Sequence, residues 1–349
     1  MRARAEAETI PMAAPPHGGY MIPTTDDTFS VTPARGEPLV SVVTPVYNEE
    51  QYLAECIESV LSQTYTNWEY TIVDNLSTDR SFEIASSYAD RDPRIHVRRN
   101  GEFVSAVNNH NIAFRSISRH SKYCKVIDGD DWMFSTCLER LVDFAEAHPT
   151  VAVVGSYRLS GSKLDSDGPP YPETIIPGRE VCRKFLLGGP YLPALANCLL
   201  YRADFVRAHD PFFPSQQRHA DSEACLNLLE FGDLGFVHEI LTFNRVRDQS
   251  ETSYVKLNNL YVFQMLDFLQ KYGPRYLTNQ ECERRFGEQL RLYYEYLGSQ
   301  IHERRGAEFW DLHRKLMASI GLKLCRTRIL ANGAFYLAEA AIRRVRRRL

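Results

Sequence analysis

The sequence predicts a protein of the α/β fold class, in which helices flank both faces of a mostly parallel β-sheet and a helical C-terminal region follows. Short apolar runs alternate with segments of helical periodicity from about residue 38 to residue 155. Strands that alternate with helices over about 120 residues indicate a mostly parallel sheet covered on both faces. From residue 255 onward the pattern is helical.

The first strand is predicted at Leu39–Thr44, a β-branched apolar run that ends before Pro45. Apolar residues then recur at three- and four-residue spacing from Tyr52 to Leu61, which predicts an amphipathic helix. The same two criteria predict further strands at 70–73, 95–98, 123–127 and 151–154, and helices at 104–118 and 138–147.

The alternation ends after Gly155. Residues 160–178 are rich in Gly, Pro and Ser and are predicted to form a loop. A helix is predicted from Val255, Gly273-Pro274 is expected to stop it, and further helices are expected within 280–346. The predicted parts are a disordered N-terminal extension at 1–37, an α/β domain at 38–253 and a helical region with a basic tail at 254–349.

Composition restricts the partners and the compartment. The 349-residue chain has a net charge of -3, so no chain-wide positive field suggests nucleic acid as a partner. Its 8 cysteines are scattered without a Cys-x-x-Cys pair, which favours buried thiols in a reducing cytoplasm over a zinc site or a disulfide scaffold. No uncharged apolar run approaches the roughly 18 residues that a membrane span needs.

The C-terminal segment carries five arginines between Arg343 and Arg348. Apolar residues such as Ile329 and Leu330 precede them, and a basic segment of this kind can lie on an anionic membrane. A helix packed on the domain with solvated arginines fits the same sequence. Both interpretations stay open, and the first would place the protein peripherally at the inner face of a membrane.

Asp128-Gly129-Asp130-Asp131 follows a predicted strand directly. Carboxylates one residue apart at a turn can face one hard cation that also holds phosphate oxygens. Such a cation neutralises the charge on a diphosphate leaving group. Asp131 or Ser135 could instead cap the next helix. Because the strands before Pro45–Asn48 and before Asp74 end at the same sheet edge, we favour a ligand site.

Asp74 also ends an apolar run, and its role has two interpretations. The carboxylate could accept hydrogen bonds from a base or from a ribose hydroxyl. It could equally cap the following helix, although Ser77 or Thr78 could do so as well. Residue chemistry alone leaves both open. The histidines, His110 among them, lack metal-ligand spacing and are expected to be ordinary surface or capping residues.

Taken in order, these motifs resemble glycosyltransferase family 2. The resemblance covers roughly residues 38–155, with a weaker match to about residue 253. It implies a GT-A fold and inverting transfer of a sugar from a nucleotide-diphosphate sugar, with a UDP-sugar favoured, to an acceptor hydroxyl. The motifs that carry it are Val42–Glu49, Ser59–Tyr65, Ile72–Asp74, Ser77–Asp79, Ser105-Ala106 with Asn109, and Asp128–Asp131.

The resemblance also implies the site residues and the cofactor. Asp130 would bind Mg²⁺ or Mn²⁺ on the diphosphate, Asp74 would contact the base, and Asp128 would contact the ribose or donor sugar. A glycan or lipid-linked acceptor in polysaccharide or glycoconjugate synthesis is expected. The residues expected to bind the nucleotide sugar are Pro45, Val46, Tyr47, Glu49, Asp74, Asn109, Asp128, Gly129 and Arg247.

The chain departs from the family pattern at several positions. Asn75 stands where a second carboxylate is usual, Leu76 where a glycine is usual, and Asn108 where a basic residue is common. Arg247 stands where a histidine can act as a further metal ligand. Arginine cannot ligate a metal but can clamp phosphate oxygens bidentately, and a plain surface arginine is the alternative.

The candidate catalytic base is Asp221. In similar enzymes an acidic pair opens a helix here, and its second member deprotonates the acceptor; Ala220 replaces the first and Asp221 matches the second. An inverting reaction needs one carboxylate on the face opposite the leaving group. Glu223 is the alternative base, and favourable electrostatics at a helix N-terminus is the structural alternative.

Two other functions are consistent with parts of the sequence. A sugar nucleotidyltransferase would need a Gly-rich loop with a basic residue after the first strand, and Pro45–Asn48 supplies neither. A catalytically inactive nucleotide- or glycan-binding module stays open because of Ala220 and Asn75.

Overall fold

The computed structural model describes residues 36–165, 168–189, 196–214, 219–247, 258–303 and 305–334. Residues 1–35 of the predicted extension and the five arginines of the predicted basic tail lie outside these ranges. Residues Pro33–Leu349 form one compact unit. The predicted boundary at 253/254 also falls among residues that are not described, and stays a prediction.

The central element is a ten-stranded sheet with the order β3-β2-β1-β4-β9-β6-β10-β5, in which β7 pairs with β6 and β8 with β10. The neighbours β3-β2, β2-β1, β1-β4 and β6-β10 are parallel. The strands are β1 (Val40–Val46), β2 (Trp68–Asp74), β3 (Ile95–Arg99), β4 (Tyr123–Val126), β5 (Trp132–Met133), β6 (Val151–Ser160), β7 (Lys163–Asp165), β8 (Ile175–Ile176), β9 (Leu200–Arg202) and β10 (Asp233–Asn244).

Helices cover both faces of this sheet and continue beyond it, which confirms the predicted fold class. The two core clusters contain residues from α1, α2 and α4 in one case and from α3 and α5–α8 in the other. The helices are α1 (Leu53–Leu61), α2 (Ser81–Ala89), α3 (Ala106–Arg115), α4 (Cys137–Ala147), α5 (Gly178–Leu186), α6 (Ala203–Ala208), α7 (Ala220–Leu228), α8 (Leu260–Tyr276), α9 (Asn279–Gln300) and α10 (Ala307–Ser319).

The strands and helices predicted up to residue 154 are all present, with shifted ends. β1 and β2 are buried over their full length, as their continuous apolar composition predicts. The sequence did not predict α2, because only Ser81 and Ala85 of this helix are buried and its apolar periodicity is weak. The two-residue strand β5 gives too short a signal to recognise.

The prediction of a loop over 160–178 is wrong in part. β7 pairs antiparallel with β6, and β8 pairs antiparallel with β10 at Leu234 and Gly235. Both strands are two or three residues long and lie at the margin of the sheet. Their pairing is decided by the neighbouring long strands, so local composition does not reveal it.

The predicted stop of a helix at Gly273-Pro274 is also wrong, because α8 continues to Tyr276. Pro274 removes one backbone donor, but tertiary contacts hold the last turn. Arg275 donates to Asn227 Oδ1 at 2.9 Å, and the Tyr276 hydroxyl donates to the Leu226 carbonyl oxygen. A Cβ on Gly273 would lie 2.5 Å from Cys282 Sγ, so this glycine serves the close contact between α8 and α9.

A third cluster forms the predicted helical C-terminal region, where Phe263, Tyr293, Leu297 and Met317 pack together. All 8 cysteines lie in the described ranges, none of them forms a disulfide there, and all but Cys325 are buried, as predicted. Within the described residues, no helix is both long and apolar enough to cross a membrane.

Candidate active site

The carboxyl ends of β1, β2 and β4 form the edge at which the predicted polar residues meet. Asn48 and Leu76 turn the chain after β1 and β2 with φ angles of 56° and 58°. The Asn48 backbone N–H donates to Ser77 Oγ at 3.0 Å, and the Thr78 backbone N–H donates to Asn48 Oδ1 at 2.8 Å. These bonds join the two loops, so motifs that are about thirty residues apart in the chain become one wall.

The predicted base-contacting residue Asp74 is buried at the end of β2. Its carboxylate accepts from the Ser77 backbone N–H at 3.2 and 3.3 Å and pairs with Arg99 Nε at 3.1 Å. It does not cap α2, which begins at Ser81. Nearby, the Tyr47 and Phe103 rings meet edge to face with their centroids 4.9 Å apart, and both rings are exposed. An exposed aromatic pair beside a buried carboxylate can receive a planar base.

Asn75 and Asn109 hold this wall together from behind. Asn75 Oδ1 accepts from Asn100 Nδ2 and from the Val104 backbone N–H, each at 3.0 Å, and its Nδ2 donates to the Val104 carbonyl oxygen at 2.8 Å. Asn109 is buried, and its Nδ2 lies 3.3 Å from the Val73 carbonyl oxygen. An amide at position 75 can both donate and accept hydrogen bonds, whereas an ionised carboxylate can only accept them. A ligand contact of Asn109 stays a prediction, as it does for the buried strand residues Pro45 and Val46.

Two carboxylates, Glu49 after β1 and Asp130 after β4, pair with one cation, Arg247. Arg247 donates to both oxygens of Glu49, at 2.7 and 3.0 Å, and pairs with Asp130. Burial raises the pKa of Glu49, and the charges of Asp130 and Asp128 add to that rise. Burial and the charge of Asp128 likewise raise the pKa of Asp130. A Cβ on Gly129 would meet Glu49 Cγ at 3.3 Å, so the glycine lets the carboxylates approach.

Asp131 organises the segment that carries Arg247. It is buried, and its carboxylate accepts from the Arg245 backbone N–H at 2.9 Å and from Asn244 Nδ2 at 3.0 and 3.1 Å. It also accepts from Asn197 Nδ2. Asp131 therefore connects the turn after β4 with the end of β10. The alternative that it caps α4 is wrong, because that helix begins at Cys137 without a side-chain cap.

Asp221 and Glu223 have different surroundings on α7. Burial raises the pKa of Asp221 to about 7, and the charge of Asp128 adds to the rise while the Ser222 N–H and the charge of His110 oppose it. Asp221 therefore interacts electrostatically with the residues after β4. Glu223 is buried and pairs with Lys271 of α8 at 2.9 Å. Of the two candidate bases, Asp221 is the one that shares an electrostatic environment with Asp128.

His110 belongs to this site, and the expectation that it is an ordinary surface or capping residue is wrong. Its Nε2 lies 3.1 Å from Asp128 Oδ1, and its Nδ1 lies 2.9 Å from the Ala106 carbonyl oxygen. Metal-ligand spacing was the wrong criterion for this histidine. The available signal was its position next to Asn109, near the start of a helix that begins at the same sheet edge.

The donor atoms are of the kind that a Mg²⁺ or Mn²⁺ ion binds. Glu49, Asp128 and Asp130 offer carboxylate oxygens, which are hard ligands. Within the described ranges no group of three or more His, Cys, Asp or Glu side chains is arranged as a metal cage. One carboxylate with diphosphate oxygens and water would suffice for Mg²⁺. The residues fit such an ion at Asp130, provided that it replaces the Arg247 guanidinium there.

Comparison with known proteins confirms the resemblance that the sequence motifs indicate. Residues 41–208 match the model of glycosyl transferase family 2. EpsJ of Bacillus subtilis (strain 168), described as an uncharacterized glycosyltransferase, is 40% identical over 129 residues, which are 36% of each chain. The chain covers between 44% and 58% of the next three curated relatives.

Two solved structures show the same fold. S. aureus TarS 1–349, crystallised with UDP-GlcNAc, gives a TM-score of 0.60 at 14% identity over 80% of both chains. The mannosyltransferase PcManGT from Pyrobaculum calidifontis, in complex with GDP-Man and Mn²⁺, gives 0.51 at 16% identity over 91% of this chain and 90% of that one. At these identities the likeness establishes the fold alone, and it confirms the predicted GT-A architecture.

Proposed function

We propose that the protein is a glycosyltransferase that moves a sugar from a nucleotide-diphosphate sugar to an acceptor hydroxyl with inversion at the anomeric carbon. Two features support the proposal: Asp128 contacts His110 at 3.1 Å, and the charge of Asp221, from a distant part of the chain, acts on the same ring. A carboxylate for the donor and a candidate base for the acceptor would then share one site.

The proposed chemistry assigns a task to each side chain. Asp221 takes the proton from the acceptor hydroxyl, and a pKa of about 7 suits a base that works near neutral pH. Asp128 orients the donor, and Asp130 would hold Mg²⁺ or Mn²⁺. When bound, the ion neutralises charge on the departing diphosphate. Arg247 would have to leave both Asp130 and Glu49 to clamp phosphate oxygens bidentately.

UDP-sugars are the first donors to test, because TarS was crystallised with one, although PcManGT holds a GDP-sugar. The proposed role in polysaccharide or glycoconjugate synthesis, with a glycan or lipid-linked acceptor, has its support in the family resemblance alone.

The test is a panel of UDP-, GDP- and dTDP-sugars, with Mn²⁺ or with EDTA. We expect one nucleotide class to raise the melting temperature, since a ligand at 100 times its Kd stabilises by about 2.7 kcal/mol. Release of its nucleoside diphosphate should depend on Mn²⁺ and be lost in Asp130→Ala. Full activity in excess EDTA would contradict the metal assignment. Binding without turnover for every donor and acceptor would support an inactive binding module instead.

A further inference from the structure

The His110 ring is fixed on three sides. It stacks on Phe213 with the ring centroids 5.5 Å apart and the planes at 28°. Phe213 is itself locked, because Asn111 donates to its carbonyl oxygen at 3.0 Å and accepts from its N–H at 2.8 Å. Nδ1 contacts the Ala106 carbonyl oxygen and Nε2 contacts Asp128 Oδ1. A side chain held this way has few alternative orientations.

The two ring contacts determine where the protons are. The Ala106 carbonyl oxygen can only accept, so Nδ1 carries a hydrogen. A carboxylate oxygen of Asp128 also accepts, so Nε2 donates to it. The charges of Asp128 and Asp221 act on the ring, and those of Lys125 and Arg158 act on Asp128.

We propose that His110 is a positioning residue for the donor: its Nε2–H holds Asp128 Oδ1, so that Oδ2 is presented to a hydroxyl of the nucleotide sugar. The inference rests on the proposed function and adds a residue to it. A freely rotating carboxylate would have to be ordered when the donor binds, and His110 removes that cost in advance.

Two variants separate the hydrogen bond from ring packing. His110→Phe keeps an aromatic ring on Phe213 but cannot donate, so we expect the Kd of the donor to rise about ten- to a hundredfold, as for loss of a bond to a charged group. His110→Gln can still donate to Asp128 and should restore most of the affinity. The KM for the donor should follow the Kd, with a smaller change in kcat.

His148→Phe is the matched control. His148 makes the same contact to the carbonyl oxygen four residues earlier, Phe144, at 2.8 Å, and no contact between its ring and a carboxylate is found within the described residues. Its donor Kd should equal that of the wild type. Equal donor affinity of His110→Phe and the wild type would overturn the positioning role, and so would failure of His110→Gln to bind better than His110→Phe.

A second readout needs no donor and thus separates this inference from the proposed function. In ¹⁵N-histidine NMR of the free protein at pH 7, the His110 signals are identified by their loss in His110→Gln. Nε2, the nitrogen that contacts Asp128 Oδ1, should carry a proton. An unprotonated Nε2 would overturn the inference even if a nucleotide sugar binds. If no donor of the panel binds the wild type, the proposed function fails and the NMR result still decides whether His110 donates to Asp128.

Discussion

Asp221 and Glu223 lie two positions apart on α7 and face different surroundings. The salt bridge of Glu223 with Lys271, which also contacts Asp267 at 2.7 Å, ties it to α8. Glu223 Oε1 accepts from Lys271 Nζ at 2.9 Å, so this side chain is held toward α8. Asp221 has no comparable bond to a cation among the described residues, and burial raises its pKa to about 7. The assignment of the base therefore follows from packing rather than from the order of the two residues.

Asp221→Asn should lower turnover by roughly two to four orders of magnitude, because the amide is nearly isosteric but cannot accept the proton. Donor affinity should change little. Turnover by the purified variant, with calorimetry of donor binding, is the measurement. Glu223→Gln is the comparison and should keep most of its turnover if the fold survives. Wild-type turnover in Asp221→Asn together with its loss in Glu223→Gln would place the base at Glu223.

The pH profile checks the same assignment in the wild type. Asp221 must be ionised to act, and its pKa is raised to about 7, so activity is lost as the pH falls through 7. We expect kcat to rise about tenfold per pH unit well below 7 and to level off above it. A profile that is flat across pH 7 would contradict the role of Asp221.

Single motifs identified most of the site residues but not their partners. Asp128, Asp130 and Asp221 were predicted because each stands at a recognisable position in a family motif. The contact of His110 with Asp128 spans 18 positions, and the bonds of Asp131 to Asn244 and Arg245 span more than a hundred. Such pairs depend on which strand ends are neighbours in the sheet, and one sequence does not contain that information.

At the scale of elements, α8 shows that a Gly-Pro pair does not always end a helix. Gly273-Pro274 predicted a helix end, but the last turn of α8 persists through its contacts with α7. Among the strands, those with long apolar runs were predicted from the sequence, whereas the short strands β5, β7 and β8 were not. Long buried strands carry their own signal, whereas short ones depend on neighbours.

Gly273→Ala should destabilise the protein by about 1–3 kcal/mol, because its new methyl group would meet Cys282 Sγ at 2.5 Å. Gly287→Ala is the matched control on α9. No atom lies within 4 Å of the position of its Cβ, so the change should be neutral or stabilise by up to about 1 kcal/mol. Thermal and urea unfolding of both variants is the measurement. Equal effects of the two changes would mean that Gly273 does not serve close packing.

At the scale of the whole molecule, the residues of the proposed reaction lie at one edge of the sheet. The parallel strands β1, β2 and β4 deliver Glu49, Asp74, Asp128 and Asp130 to that edge, and α7 adds Asp221. The order of motifs along the chain was enough to predict this fold. It was not enough to predict that Arg247 pairs with Glu49 and Asp130, since a bidentate ion pair is decided by side-chain geometry.

Inverting transfer is tested most directly by the anomeric configuration of the product. With the donor identified by the nucleotide-sugar panel, the coupling constant of the anomeric proton in the early product is measured by ¹H NMR. A single displacement, in which Asp221 deprotonates the acceptor, predicts the configuration opposite to that of the donor. A product with the configuration of the donor would contradict the single displacement and the role of Asp221 within it.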